Sequence, residues 1–248
     1  MVYFKRGTED LLCDNSSKFL ENMSTYKDRD ISLALIKNEI SYLGEVKNKR
    51  MVSLYQWYQD LFLFDDSVET FLFFDTETAH LNGFAVSIAL IKTDREFNII
   101  EEFYVELNPG VIIDPETIEV HGLTDEMVKD ADSFSDYSDK ISEMINSSDV
   151  LIAHNAIYDI GVLVREYERM EIMFPTGLMY FLDTMNALKC QMAFTGKKKS
   201  PSLSESAIAL GLDLEGIQLH NALDDTKLLL EVVKIAVDKE DNSIIDNK

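Results

Sequence analysis

Apolar residues recur at two different periods along this chain. Ile31, Leu33, Leu35, Ile36, Ile40 and Leu43 follow roughly helical spacing, and a second amphipathic stretch runs through Met51, Leu54, Tyr55, Trp57, Tyr58 and Leu61. Residues 1–66 are therefore expected to form a helical N-terminal extension, joined at Asp65-Asp66-Ser67 to the next domain. Its expected role is packing against the main domain or a partner. From about residue 69 the pattern becomes that of an α/β domain, expected over 67–237. Residues 71–75, 85–92 and 97–107 read as strands rich in Val, Ile, Phe and Tyr, with turns at Asn82-Gly83 and Thr93-Asp94. Short links between consecutive strands predict an antiparallel meander.

Residues 114–146 read as short helices, with Thr124 as an N-cap and a helix from Ser135 through Ile145. A fourth strand is expected over 149–153, followed by a helix over 155–169. A short fifth strand over 180–183 leads into a helix to about Met192. Ser202 and Gly211 bracket a further helix, and 221–237 is the last strong one. Residues 238–248 form a polar tail.

Composition sharpens this outline. The 248 residues are 46% hydrophobic, enough for a substantial core. No apolar run approaches the ~20 residues of a membrane span. The stretch Met1-Val2-Tyr3-Phe4-Lys5-Arg6 lacks the long apolar segment of a secretory signal. Cys13 and Cys190 are the only cysteines, and neither has a CxxC partner, so zinc-ribbon and disulfide frameworks are poor readings and a reducing cytoplasm is expected. The net charge of −22 argues against a long grip on duplex DNA, which calls for a basic footprint. Contact confined to a few nucleotides at a strand end, with metal ions supplying positive charge, fits better; the excess acid also aids solubility.

Three short pieces then stand out, because each places acids where a phosphodiester-cutting metal site needs them: Asp75-Thr76-Glu77, His154 to Asp159 and His220 to Asp225. The first ends the apolar run Phe71-Leu72-Phe73-Phe74. Residues two apart in a strand share a face, so Asp75 and Glu77 point together. Two carboxylates about 4 Å apart repel by roughly 4 kcal/mol at an effective dielectric near 20, so their burial calls for a cation. Asp159 falls in the first turn of a helix, where the dipole alone also favours an acid. His154 reads as a structural histidine or a ligand. Asn221 is a candidate N-cap that puts Asp225 one turn into the last helix, with Asp224 off that face and His220 on the approach. Histidine is the side chain best suited to take a proton near neutral pH. The set is then Asp75, Glu77, Asp159 and Asp225 for two Mg²⁺ or Mn²⁺ ions, with His220 as base.

These motifs resemble those of the DEDDh exonucleases of the ribonuclease H-like superfamily, most of all the epsilon-type proofreading subunits of bacterial DNA polymerase III. The resemblance spans about 69–237 and includes Asp75-Thr76-Glu77-Thr78, His154 through Asp159 with Tyr158 where Phe is common, and His220 through Asp225. Val120 through Met127, Asp183-Thr184 and Gly196-Lys197 ahead of Ser202-Leu203 agree. It implies a ribonuclease H-like α/β fold: a mixed five-stranded sheet flanked by helices. It also implies 3′-to-5′ release of nucleoside monophosphates from single-stranded ends. Asp75, Glu77 and Asp225 would bind a first ion, Asp75 would bridge to a second helped by Asp159, and His220 would be the general base. Thr76, Thr78, Leu81, His121 and Asn155 would lie beside the substrate, Leu81 offering a surface for a base.

One departure is local. The family often has Thr-Gly after Glu-Thr, whereas this chain has Ala79-His80, which bears on the pocket for the terminal nucleotide. His80 reads as an exposed loop residue or a phosphate contact, and His121 as a substrate neighbour or a structural group. Lys197-Lys198-Lys199 reads as a backbone contact or a solvated loop. Two further functions compete: a non-catalytic adaptor docking a polymerase or other protein through residues 1–66, and an exonuclease for RNA or oligonucleotides.

Overall fold

The computed structural model describes residues 54–64, 67–172, 174–175, 180–191 and 200–238. The predicted helices before residue 54, the joint at Asp65-Asp66, Lys197-Lys198-Lys199 and the tail from 239 lie outside the described residues. The five strands are β1 (Thr70–Thr78), β2 (Ala85–Asp94), β3 (Ile99–Glu106), β4 (Val150–Ala153) and β5 (Tyr180–Asp183). They form one mixed sheet in the order β3-β2-β1-β4-β5. β1, β2 and β3 are the antiparallel meander expected from their short links, while β4 runs parallel to β1 and β5 to β4.

The helices are α1 (Leu54–Phe64), α2 (Pro115–His121), α3 (Asp125–Val128), α4 (Phe134–Asn146), α5 (Ala156–Arg169), α6 (Thr184–Gln191), α7 (Leu203–Leu210) and α8 (Ala222–Asp238). Alternation along β1 sorts them onto two faces. Phe71 and Phe73 pack with Leu228, Leu229, Val232 and Val233 of α8. Leu72 and Phe74 pack with Ile141 of α4 and Ile160 and Leu163 of α5. Residue 75 and residue 77 therefore continue the face that α8 covers.

Helix α1 belongs to the same core. Leu54, Trp57 and Leu61 are buried against it, Tyr58 stacks on Phe97 with centroids 5.5 Å apart, and the Tyr58 hydroxyl donates to the Arg95 carbonyl at 3.0 Å. This part of the N-terminal segment thus packs against the main domain.

Local chemistry moved several boundaries. β1 runs on through Thr78, because β-branched threonines alternate with the acids. β2 continues through Asp94, whose carboxylate accepts from the Asn98 amide and side chain at 2.8 and 2.9 Å, and the turn shifts past it. Phe97, with φ 63°, sits in that turn rather than in β3. Helix α4 begins at Phe134 because Ser133 and Asp136 form a capping box. Thr124, Ser202 and Gly211 cap as expected, and Asn221 Oδ1 accepts from Leu223 N and Asp224 N at 3.1 and 3.2 Å.

Candidate metal centre

The site forms where β1 and β4 part. β4 pairs with β1 only along Phe71–Phe73, so beyond that point the outer edge of β1 would lose its ladder. The first turn of α5 fills the gap. Thr76 donates its amide and its hydroxyl to Asp159 Oδ1, at 3.1 and 2.7 Å. Asp159 is thereby drawn to the strand that carries Asp75 and Glu77. A ligand cleft at the point where connections leave a strand to opposite sides is the general arrangement of α/β sheets.

From the other side comes α8. Glu77, His220 and Asp225 each offer a ligand atom within 4.8 Å of the others. The His220 amide donates to Asp225 Oδ2 at 3.0 Å, and His220, an exposed residue, adopts φ 63°. Asp225 Oδ1 is buried with no hydrogen-bond partner. Asp224 is turned away, its Oδ2 accepting from the Gln218 amide at 3.0 Å.

Electrostatics ties the four acids together. Burial, then the neighbouring charges of Asp159, Glu77 and Asp225, hold Asp75 well above the usual carboxylate range. Glu77 is pushed up to about 8 by burial, reinforced by Asp225 and Asp159. Burial lifts Asp159 to about 7 against the two Thr76 bonds, which favour its charged form. Asp225 is raised by burial despite the His220 amide. Among the described residues, no Lys or Arg ion pair reaches any of the four. Four converging acids, an orphaned carboxylate oxygen and an imidazole form a donor set suited to hard divalent ions.

The residues expected beside a substrate divide by what they touch. The hydroxyl of Thr76 serves Asp159, and that of Thr78 lies 2.7 Å from the Tyr158 hydroxyl. His121 is buried; its Nδ1 accepts from Leu123 N at 3.0 Å, so the proton sits on Nε2, which faces the Thr78 carbonyl at 3.2 Å. Burial, chiefly, lowers its pKa, so this neutral tautomer anchors the end of β1. Leu81, in contrast, is 75% exposed. Asn155 takes the left-handed conformation, φ 72°, and its amide donates to Asp183 Oδ1 at 3.1 Å. His154 bridges Thr184 Oγ1 and the Pro201 carbonyl, at 3.1 and 3.0 Å, which makes it structural.

Three contributors went unassigned in the sequence. Asp183 holds the left-handed turn that launches α5 and raises Asp159 through its charge. Tyr104 and Glu106 lie in register with Asp75 and Glu77 across Ala89 and Ser87, hence on the acidic face. The Tyr104 hydroxyl donates to Glu106 at 3.0 Å and is pushed up to about 12, first by burial and then by Glu106. Only the pairing register could have revealed them.

Residues 72–233 match the RNase_T family model, described as Exonuclease. The DNA polymerase III subunit epsilon of Pasteurella multocida (strain Pm70) is 28% identical over 166 residues, 64% of this chain and 64% of that protein. Its counterpart in Salmonella typhimurium is 30% identical over 166 residues, covering 64% of this chain and 67% of the relative. The chain thus spans about two thirds of the length of these curated relatives. Among solved structures, E. coli exonuclease I in complex with a dT13 oligonucleotide superposes with a TM-score of 0.58 at 19% identity, over 67% of this chain and 40% of that one. The last similarity is one of fold.

Proposed function

The chain belongs to the RNase_T exonuclease family, and from that premise we propose that it removes nucleotides stepwise from 3′ ends of single-stranded DNA by cation-dependent hydrolysis. The observation that carries this reading is the convergence of Asp75, Glu77, Asp159 and Asp225, buried or half-buried, with no Lys or Arg ion pair to any of them among the described residues. A structural role gives no reason to hold such a cluster together. The names of the curated relatives, and the oligonucleotide carried by the exonuclease I structure, support DNA as substrate and a polymerase as partner. The cysteine usage favours a cytoplasmic setting; no helix among the described residues is long and apolar enough to cross a membrane.

In this reading Asp75, Glu77 and Asp225 would hold one Mg²⁺ or Mn²⁺ ion, and Asp75 with Asp159 a second. Such a pair would neutralise the carboxylates and steady the charge on the phosphate oxygens. Thr76 fixes Asp159 in place, and the His220 amide fixes Asp225, leaving Oδ1 free. His220 takes a proton from the attacking water as its oxygen bonds to phosphorus. The bond to the 3′ oxygen of the preceding nucleotide breaks, and that oxygen is protonated from solvent. Leu81 presents the apolar surface for the terminal base.

The test is purified protein with Mg²⁺ or Mn²⁺ on 3′-labelled and 5′-labelled single strands of DNA and RNA. Release of labelled mononucleotide from the 3′ label alone, faster on DNA, is expected. Full turnover in excess chelator, or release from the 5′ label, would refute it. Faster turnover on RNA would move the substrate assignment and leave the chemistry.

A further inference from the structure

The loop between β1 and β2 is where this chain departs from the pattern of its family, and it is also the loop that carries Leu81. Its glycine stands at 83, whereas position 80 is His80. A Cβ at Gly83 would fall 2.6 Å from the His80 carbonyl oxygen and 2.9 Å from the His80 nitrogen, so only glycine fits there. The turn is closed by two backbone bonds, Gly83 N to His80 O at 2.6 Å and Ala79 N to Phe84 O at 2.9 Å.

Helix α5 grips this turn from below with three charged side chains two to three turns past Asp159. Arg165, 3% exposed, donates from Nε to the Gly83 carbonyl at 3.2 Å. Glu166, 0% exposed, accepts the Ala85 amide at 2.8 Å and pairs with Arg169 Nε at 2.7 Å. Arg169 lies 4.4 Å over the Phe84 ring and donates to the Pro109 carbonyl at 2.9 Å. Buried charges this costly to desolvate persist only where each finds partners. For buried Arg165 and Glu166 the partners include backbone groups of residues 83 and 85, with Arg169 closing the set from the surface, so together they specify the path of the loop.

We propose that Arg165 and Glu166 are positioning residues, a latch that holds the β1–β2 loop so that Leu81 meets the terminal base. The same α5 supplies Asp159, so a single helix sets both the acid and the apolar surface at the height the chemistry needs. This inference rests on the exonuclease reading for its consequence, and not for the latch itself.

Two measurements on the full chain separate the two. The first is hydrogen exchange without substrate in Arg165→Met and Glu166→Gln. Amides of residues 79–85 should exchange faster in each variant, while those of β1 and α8 keep their protection. Unchanged exchange in 79–85 would overturn the latch whatever the activity, and the milder Glu166→Gln guards against global unfolding in the other variant. The second is kinetic, on single-stranded DNA. Arg165→Met should raise KM roughly tenfold, with kcat and the cation dependence little changed, because the terminal base is misplaced rather than the acids. In a Leu81→Ala background the same substitution should add less than about twofold, since interacting sites are non-additive. An undiminished effect in that background, or a loss confined to kcat, would overturn the positioning role. A parent protein that releases nothing from any strand would sink the exonuclease reading, and the exchange data would still judge the latch.

Discussion

Helix α5 carries two buried acids, Asp159 and Glu166, two turns apart, and their surroundings differ in kind. Glu166 is flanked by Arg165 and Arg169, and a backbone amide occupies its other oxygen. Asp159 faces Asp75 and Glu77, with hydroxyl and amide donors from Thr76 but no Lys or Arg ion pair among the described residues. One burial comes with its own neutralisation, and the other requires a partner from outside. Under the proposed function, that difference separates an acid that builds the fold from an acid kept for chemistry. Fully buried Glu166 is still lifted to about 7, since desolvation outweighs the arginines, so a raised pKa does not tell the two apart; the presence or absence of a Lys or Arg ion pair does.

The strongest way to break the comparison is Asp75→Asn. If the quartet exists to hold ions, this variant should fold normally and lose more than the roughly 10²–10⁴-fold that a general base contributes. Release of 3′ label, read beside circular dichroism, measures both. Retained turnover would reduce the cluster to surface acidity. His220→Ala comes next, with a loss within that roughly 10²–10⁴ range and unchanged metal-dependent stability. A parallel loss of metal response would make His220 a ligand, as its distance to Glu77 and Asp225 permits. Third is Glu166→Ala, which leaves Arg169 and the Ala85 amide without their acceptor. Breaking a fully buried pair from one side costs about 3–5 kcal/mol, and because Arg169 is partly exposed the loss here should fall below that, to be read by urea denaturation. A neutral outcome would mean that the arginines escape to solvent and that the two acids do not differ as argued.

Most of the candidate site was legible because its parts are local. Asp75 and Glu77 sit two apart on a strand announced by four apolar residues, and Asp225 sits one turn past a cap residue. Such spacings survive in one dimension. Tyr104 and Glu106 did not, because they reach the acidic face only through strand pairing across β2. The latch is hidden for the same reason: Arg165 and Gly83 are 82 positions apart. The membership of α1 in the main core was equally out of view, since a helical period says which side is apolar and not which partner covers it. His154 and His121, for which alternatives were open, are both held by hydrogen bonds within the fold.

The smallest effect, and the one that sharpens the comparison most finely, is the pH dependence of stability without metal. Glu77 has a folded pKa of about 8 against an ordinary 4.5, and Asp75, Asp159 and Asp225 are raised as well. Between those values the folded state holds protons that the unfolded chain has released. Stability therefore falls as pH rises through this window. His121 and His154 are shifted down, so they act in the opposite sense below the ordinary histidine value of 6.5, which leaves pH 7 to 8.5 as the clean interval. In chelator, the thermal midpoint should drop across that interval, and less so in Asp75→Asn. Saturating Mg²⁺ should flatten the slope by replacing the missing protons with ions. Glu166, also raised, contributes with the same sign but has its own arginines, so its share should persist in Mg²⁺. A slope that Mg²⁺ leaves untouched would show that the two acids of α5 are neutralised alike, and the distinction between them would fall.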